Sequence, residues 1–205
     1  MTNAHPNPQT QNGSAPDGDD PELLEPNIRI YGPIGDGTVW SVLDRLDEIR
    51  KTDDAIVLEL TTQGGDADAA LRIALEIRLF RQKFRRKACF VGKTSVMSAG
   101  ITIMSAFPSE CRYLTDDTVL LIHERRMTKT LQLDGPMGSS RQILREQLAL
   151  VESAERVERE TFGFLAEGSN LSEEEIYDRA RNNFYLTAEE AKKVGLVGTI
   201  ISTKS

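Results

Sequence analysis

The sequence predicts an α/β fold with a mainly parallel sheet and one long protruding helix. Short apolar segments alternate with longer segments whose apolar residues recur every three or four positions. This alternation predicts strand–helix–strand units, which form parallel sheets. Beyond position 138 the pattern changes to one uninterrupted helical stripe. The chain therefore divides into a sheet-forming part and a long helix.

Strands are predicted where short apolar runs are closed by turn residues. They are Ile28–Tyr31, Ala55–Leu60, Ala88–Gly92, Arg112–Leu114, Val119–His123 and Leu196–Ile201. Helices are predicted where the apolar spacing is three or four. In the first half of the chain they are Thr38–Arg50, Ala67–Phe84 and Met97–Phe107, the last stopped by Pro108. Sites of such folds form at the carboxyl ends of the strands.

The longest predicted helix covers Ser139–Glu167, whose 29 residues would span about 43 Å. A helix of that length outreaches a small domain, so part of it is expected to pack on another subunit. Two capping boxes, at Ser172 with Glu175 and at Thr187 with Glu190, predict two further helix starts. Residues 27–201 are expected to form one domain.

Charge is concentrated at the N-terminus. Residues 1–26 hold five acidic and no basic residues, out of a net charge of −7. This Pro-rich acidic stretch is predicted to be a disordered tail, and residues 202–205 a short C-terminal tail. The nearly neutral remainder gives no electrostatic case for nucleic acid. No apolar run approaches the roughly 20 residues that cross a bilayer, and no leader pattern is present, so a cytoplasmic location without a membrane span is expected.

The two cysteines, Cys89 and Cys111, lie 22 positions apart and have no neighbour at metal-ligand spacing. They are interpreted as two reduced thiols of a reducing compartment. We expect neither a metal nor a cofactor.

Three short features could carry chemistry. His123 is the one histidine outside the tail and ends a predicted strand, which suits a general base or a structural role. Ser98 lies at a strand-to-helix turn, which would expose its hydroxyl as a nucleophile or leave it a helix cap. Gly64 and Gly65 follow another strand and permit a turn that aims an N–H at a substrate, or form an ordinary loop.

Taken together, Gly64-Gly65, Met97-Ser98-Ala99-Gly100 and Leu121-Ile122-His123 resemble the Clp protease proteolytic subunit family. The run from Asn183 to Val197 is similar to that family's closing segment, so the resemblance covers about residues 27–201. It implies Ser98 as nucleophile, His123 as base, Asp178 as triad acid and an oxyanion hole made of the Gly65 and Ala99 backbone N–H groups.

The same resemblance implies a fold of the Clp protease and crotonase type, with repeated β-β-α units and residues 139–167 as a handle between two rings. It further implies a serine endopeptidase that cuts unfolded proteins or peptides inside a chamber. The expected assembly is a homo-oligomer of stacked, heptameric rings, with a Clp ATPase as a possible partner.

The sequence departs from the family pattern in four places. Met97 precedes the serine, and aligning it with the family's methionine would put Val96 at the nucleophile. Asp178 takes the acid position only with a one-residue insertion near Tyr185, and otherwise Arg179 does. Gln63 replaces a proline before the glycines and Asp66 follows them. The acidic tail replaces the usual pore-loop segment.

Four other hypotheses stay open at this point. One is a catalytically inactive Clp-like subunit that completes a mixed ring. A second is a crotonase-like enzyme acting on acyl-CoA thioesters. The others are a non-enzymatic oligomeric scaffold and a membrane-associated peptidase whose anchor comes from a partner.

Overall fold

The computed structural model describes residues 25–203, so residues 1–24 of the predicted tail and residues 204–205 lie outside it. Within that range the α/β prediction is confirmed. The strands are β1 (Ile28–Tyr31), β2 (Ile56–Thr62), β3 (Ala88–Met97), β4 (Arg112–Thr115), β5 (Val119–Ile122), β6 (Phe184–Thr187) and β7 (Thr199–Ile201). The helices are α1 (Asp36–Ile49), α2 (Ala67–Phe84), α3 (Ala99–Met104), α4 (Met137–Ala166), α5 (Glu173–Ala180) and α6 (Ala188–Lys193).

The sheet is parallel along its main path, in the order β1-β2-β3-β4-β7. Strand β3 changes its neighbour partway along. Its residues 90–92 pair with β4, and its residues 95–97 pair with β5. Strand β6 then runs antiparallel to β5. The second half of β3, which leads to Ser98, thus has β5 and not β4 as its neighbour.

The core is built as the periodicity predicts. In α1 the apolar residues Val42, Leu46 and Ile49 turn inward, and β2 is buried along most of its length, as expected of a strand covered on both faces. Helix α2 begins at Asp66, whose side chain accepts a hydrogen bond from the Ala69 N–H at 2.8 Å. This cap fixes the direction in which α2 leaves the Gly64-Gly65 turn.

Arg112 joins three parts of the fold. Its side chain is 1% exposed, and its guanidinium donates to four backbone carbonyl oxygens at 2.8–3.1 Å, those of Phe107, Phe164, Leu165 and Leu196. Burial lowers the pKa of Arg112 to about 10, so the group is still charged at neutral pH. Two of the carbonyls lie in the last turn of α4, where no intrahelical donor remains. Arg112 therefore anchors that helix to the sheet.

Helix α4 confirms the predicted long helix and leaves the body of the protein. Its 30 residues span about 45 Å. Its buried residues, Glu158, Thr161, Phe162 and Leu165, all lie in its C-terminal third. Large apolar side chains on the preceding turns are exposed, among them Met137, Leu144, Leu148 and Leu150. An apolar face of this extent is typical of an interaction surface.

Most elements begin or end within two residues of the predicted boundary, and three boundaries differ by more. Residues 93–97 continue β3 rather than forming a turn, because β5 pairs with that part of the strand. Helix α3 is consequently shorter than the predicted Met97–Phe107. The last strand begins at Thr199 instead of Leu196, since Gly198 still belongs to a turn whose N–H bonds to the Arg112 carbonyl at 2.9 Å.

Candidate active site

Ser98 lies at the turn between β3 and α3, in a backbone conformation that is rare for an L-residue (φ 54°, ψ −115°). Its N–H donates to the Leu121 carbonyl at 2.9 Å, which ties the turn to β5. Its side chain makes no capping hydrogen bond to α3, so it is not a helix cap. Such backbone strain costs about 1–3 kcal/mol and clusters at functional sites. The turn has the geometry that exposes a nucleophilic hydroxyl.

The paired glycines lie against this turn. A Cβ on Gly64 would come 2.8 Å from the Ser98 Cβ, and a Cβ on Gly65 would come 2.2 Å from the Ile34 carbonyl oxygen. Both residues also have positive φ angles, 116° and 146°. Close approach and backbone conformation therefore both require glycine at these two positions.

The Gly65 N–H is available to a substrate. Ile34 and Gly65 form a parallel β-bridge. In this bridge the Ile34 N–H donates to the Gly64 carbonyl at 3.0 Å, and the Ile34 carbonyl accepts from the Asp66 N–H at 2.8 Å. In a parallel bridge of this kind, the central residue's own N–H points away from its partner. Within residues 25–203 no backbone acceptor takes the Gly65 N–H. It therefore points to the side of β2 on which β3 and Ser98 lie.

Asp66 directly follows the glycines, where its negative charge would oppose an oxyanion. Its side chain instead accepts the capping hydrogen bond of α2 from the Ala69 N–H. Gln63 also has a partner, because its amide donates to the Ser95 hydroxyl at 3.1 Å. Ala99 is the first residue of α3, where backbone N–H groups lack intrahelical acceptors. Gly65 and Ala99 can thus both offer an N–H to a developing oxyanion.

His123 follows the last residue of β5 and is half-buried. Its Nδ1 lies 2.6 Å from the Glu124 carbonyl oxygen. A carbonyl oxygen only accepts, so Nδ1 carries the hydrogen and donates. In the neutral ring Nε2 is then unprotonated, which is the tautomer that a general base toward a serine hydroxyl requires.

These groups open onto one cleft. Gly65, Ser98, Ala99 and His123 all line a cavity of about 990 Å³ between the sheet edge and α4. Its wall also includes apolar residues of α2, α3 and α4, such as Leu71, Ile101, Leu150 and Phe162. The structure therefore places four of the five residues that the sequence singled out on the wall of one cavity. A cleft of this size can hold several residues of an extended peptide.

The structure does not bring Asp178 to this cleft. Asp178 lies on α5 and is exposed, and it is absent from the residues that line the cavity. The antiparallel register of β5 and β6 pairs Ile122 with Phe184, so the next position, opposite His123, falls to Asn183. In this conformation the His123 Nδ1–H is held by a backbone carbonyl instead of a carboxylate.

A buried carboxylate on α4, which the sequence analysis did not single out, contacts the segment after His123. Glu158 is 6% exposed, and its carboxylate accepts a hydrogen bond from the Arg125 N–H. The Arg125 guanidinium in turn pairs with Asp68 of α2 at 2.6 Å. Burial raises the pKa of Glu158, and the bond from Arg125 opposes that shift. In the sequence, this contact is indicated by Glu158 itself, an acidic residue within the apolar stripe of the long helix.

No helix within residues 25–203 has the length and apolarity needed to span a membrane. The same residues contain no group of three or more side chains that could hold a metal ion.

Comparison with known proteins gives consistent matches over nearly the whole chain. The family model described as Clp protease matches residues 22–204. ATP-dependent Clp protease proteolytic subunit 2 of Pseudomonas aeruginosa is 31% identical over 175 residues, which cover 85% of this chain and 80% of that protein. ATP-dependent Clp protease proteolytic subunit 3 of Rhizobium etli is 26% identical over 180 residues, or 87% and 85% of the two chains.

A solved structure supports the fold. An Asn-to-Asp mutant of ClpP1 from Listeria monocytogenes superimposes with a TM-score of 0.69 at 24% identity. The match covers 90% of this chain and 95% of that one.

Proposed function

Because the chain belongs to the Clp protease family, we propose that it is a serine endopeptidase subunit that hydrolyses unfolded proteins or peptides. The observation that carries the proposal is one cleft that combines a strained Ser98 turn, a base-competent tautomer of His123 and the outward N–H of Gly65. Each of these features matches one requirement of acyl transfer by an activated hydroxyl.

In this mechanism the Ser98 Oγ attacks the scissile carbonyl carbon while His123 Nε2 takes the hydroxyl proton. The carbonyl oxygen becomes an oxyanion between the Gly65 and Ala99 N–H groups. The imidazolium then gives the proton to the leaving amine, which leaves an acyl ester on Ser98. A water molecule, deprotonated by the same Nε2, hydrolyses that ester. Loss of one oxyanion donor typically costs about 2.7–4 kcal/mol of transition-state stabilisation.

In this conformation the Glu124 carbonyl orients the base. It accepts the Nδ1–H at 2.6 Å and so fixes the tautomer of His123, as the carboxylate of a catalytic triad does. Asp178, the acid implied by the family resemblance, can take over only if the imidazole leaves that carbonyl and Asp178 moves in. The role of Asp178 thus stays a prediction.

Assembly into stacked rings is proposed from α4. Its exposed apolar residues have no cover in the single chain, while the base of the helix is anchored by Arg112. The relatives are named as subunits of ATP-dependent Clp proteases. As part of the proposal, this chain also works with a Clp ATPase. The heptameric count and the cytoplasmic location stay predictions.

One observation favours a second candidate, an inactive subunit of a mixed ring. Within residues 25–203 no carboxylate forms a hydrogen bond or an ion pair with the His123 ring, whose Nδ1 bonds to the Glu124 carbonyl. A carbonyl fixes the tautomer but supplies less stabilisation to the imidazolium than a carboxylate does. The two candidates differ in whether the hydroxyl of Ser98 reacts.

A fluorophosphonate probe decides between them. We expect the probe to label wild-type protein on Ser98, and Ser98→Ala to lose both the labelling and the cleavage of casein and short fluorogenic peptides. Ser95→Ala and Ser105→Ala are matched controls, because both serines are buried and hydrogen-bonded, to Gln63 and to the Thr102 carbonyl. Unchanged cleavage by Ser98→Ala, or labelling that persists in it, would contradict the proposal. Absence of labelling in the wild type would favour the inactive subunit.

A further inference from the structure

Two cysteines outside the catalytic cleft meet on neighbouring strands. Cys89 lies in β3, and Cys111 ends the 3₁₀ turn Ser109–Cys111 that leads into β4. The parallel register of the two strands places Phe90 opposite Arg112, an offset of 22 positions. The same offset separates the two cysteines, so they lie side by side at the start of that ladder.

Their side chains share one small apolar cluster. Cys89 and Cys111 both belong to it, together with Val57, Val91 and Tyr113. Both are thiols without a disulfide, with exposed fractions of 2% and 8%. The more exposed of the two, Cys111, is therefore the one that a small solute reaches first.

The surroundings of Cys111 also favour its thiolate. A hydrogen bond with Cys89 lowers the pKa of Cys111 to about 7, against the opposing effect of burial. The charges of Lys87 and Arg81 act in the same direction, and Glu110 acts against them. The thiolate is the form of cysteine that reacts with oxidants and disulfides.

The backbone positions permit a covalent bond. Neighbouring strands lie about 4.7–4.9 Å apart, and disulfides join residues whose Cα atoms are about 4.4–6.8 Å apart. Cys111 belongs to the turn and not to the paired part of β4. It can thus adjust its Cβ direction without breaking ladder hydrogen bonds.

We propose that Cys89 and Cys111 are a redox modification site, at which a peroxide drives a reversible intrachain disulfide. The Cys111 thiolate attacks one peroxide oxygen, the O–O bond breaks, and sulfenic acid and hydroxide form. The Cys89 sulfur then attacks the Cys111 sulfur, the S–O bond breaks, and its oxygen leaves as water. In total two thiols and one hydrogen peroxide give one disulfide and two waters, the sulfurs being oxidised and the peroxide oxygens reduced.

The position of this bond gives it a consequence for the fold. It would close a loop, residues 89–111, that contains the Ser98 turn and α3. It would also fasten β3 to the residue just before Arg112, which anchors α4. A link across such a loop restricts the unfolded chain, so the oxidised protein resists unfolding better than the reduced protein.

The experiment is a titration of the full-length protein with hydrogen peroxide, followed by N-ethylmaleimide and digestion without a reductant. Mass spectrometry is expected to find the Cys89 and Cys111 peptides linked, at a mass lower by two hydrogen atoms, and dithiothreitol is expected to separate them. In urea, oxidised wild-type protein unfolds at a higher midpoint than the reduced protein, and Cys111→Ser shows no such shift.

Two single variants test the order of steps. In Cys89→Ser, dimedone traps a sulfenic acid on Cys111, whereas in Cys111→Ser the remaining Cys89 stays alkylatable. Linkage between two chains, or full alkylation of both thiols after peroxide, would overturn the proposal. Sulfinic acids without a linked peptide would overturn it as well. Should either variant fold poorly, the wild-type peptide map alone still decides.

Discussion

A methyl group added at Gly64 is expected to disable the catalytic site while the fold persists. The new Cβ would lie 2.8 Å from the Ser98 Cβ, closer than Cβ atoms approach in proteins, and 3.3 Å from its hydroxyl oxygen, which is a tight contact. Gly64 also has a φ angle of 116°, which an alanine adopts only with strain. Either Ser98 or the backbone of the glycine turn must therefore move.

The size of the effect follows from the contact. Ordinary contact begins at 3.4 Å, so Ser98 or Gly64 shifts by about 0.6 Å, and a misplacement near 1 Å can cost about 100-fold in rate. We expect kcat/KM of Gly64→Ala to fall by about 100-fold. The strained φ angle adds a loss of about 1–3 kcal/mol in the free energy of unfolding.

The assay is hydrolysis of a fluorogenic peptide, with circular dichroism and urea unfolding as checks on the fold. Gly37→Ala is the matched control, because a Cβ at Gly37 meets nothing within 4 Å in helix α1. That control should keep wild-type kcat/KM and gain about 0.5–1 kcal/mol, since alanine is the better helix residue. Wild-type kcat/KM in a folded Gly64→Ala variant would refute the assignment of Ser98 to the reaction.

Four further predictions concern the catalytic cleft and the residues that support it. Arg112→Met removes four hydrogen bonds to backbone carbonyls, three of them buried, and is expected to cost about 4 kcal/mol in urea unfolding. Arg81→Met, which loses one such bond, is expected to cost about 1 kcal/mol, and equal losses would contradict the anchoring role. The folded-state pKa of Glu158 is raised, so its contribution to stability is fully present below the ordinary value of 4.5 and is lost as pH rises through the folded-state pKa. Glu158→Gln should flatten this decline in the free energy of unfolding when unfolding is measured at several pH values, and an unchanged profile would exclude Glu158 as its source. Asp178→Asn should change kcat/KM by less than about threefold if the Glu124 carbonyl orients His123, whereas a triad acid predicts a loss of orders of magnitude. Asn183→Asp adds a negative charge at the position opposite His123 in the register of β5 and β6, and should move the acid limb of the pH–rate profile to higher pH.

The parallel sheet and the meeting of Ser98, His123 and the glycines could be predicted from the sequence because they depend on local patterns. Apolar runs define the strands, and the residues just after parallel strands share one sheet edge. The extension of β3 through residues 93–97 could not be predicted this way. That stretch is polar enough to suggest a turn, and it is extended because β5, over 20 residues later, pairs with it.

Two features of the site and its surroundings also depend on contacts that no local pattern reveals. The partner of the His123 Nδ1 is a backbone carbonyl, which has no signature in the residue type of Glu124. The contact of Cys89 with Cys111 depends on the register of β3 and β4. A spacing of 22 positions becomes informative only once both strands and their alignment are known.

The interval between the nucleophile and the base follows from a change of partner within one strand. The first part of β3 pairs with β4 at an offset of 22 positions, and its second part pairs with β5 at an offset of 24, which sets Met97 opposite Leu121. The next step along the same register sets Ser98 beside Ile122, one residue before His123. Ser98 and His123 both lie at the carboxyl ends of their strands, where sites of parallel sheets form. The spacing of 25 residues between Ser98 and His123 is thus a consequence of strand pairing, and an insertion between β4 and β5 would be tolerated only where it left that register unchanged.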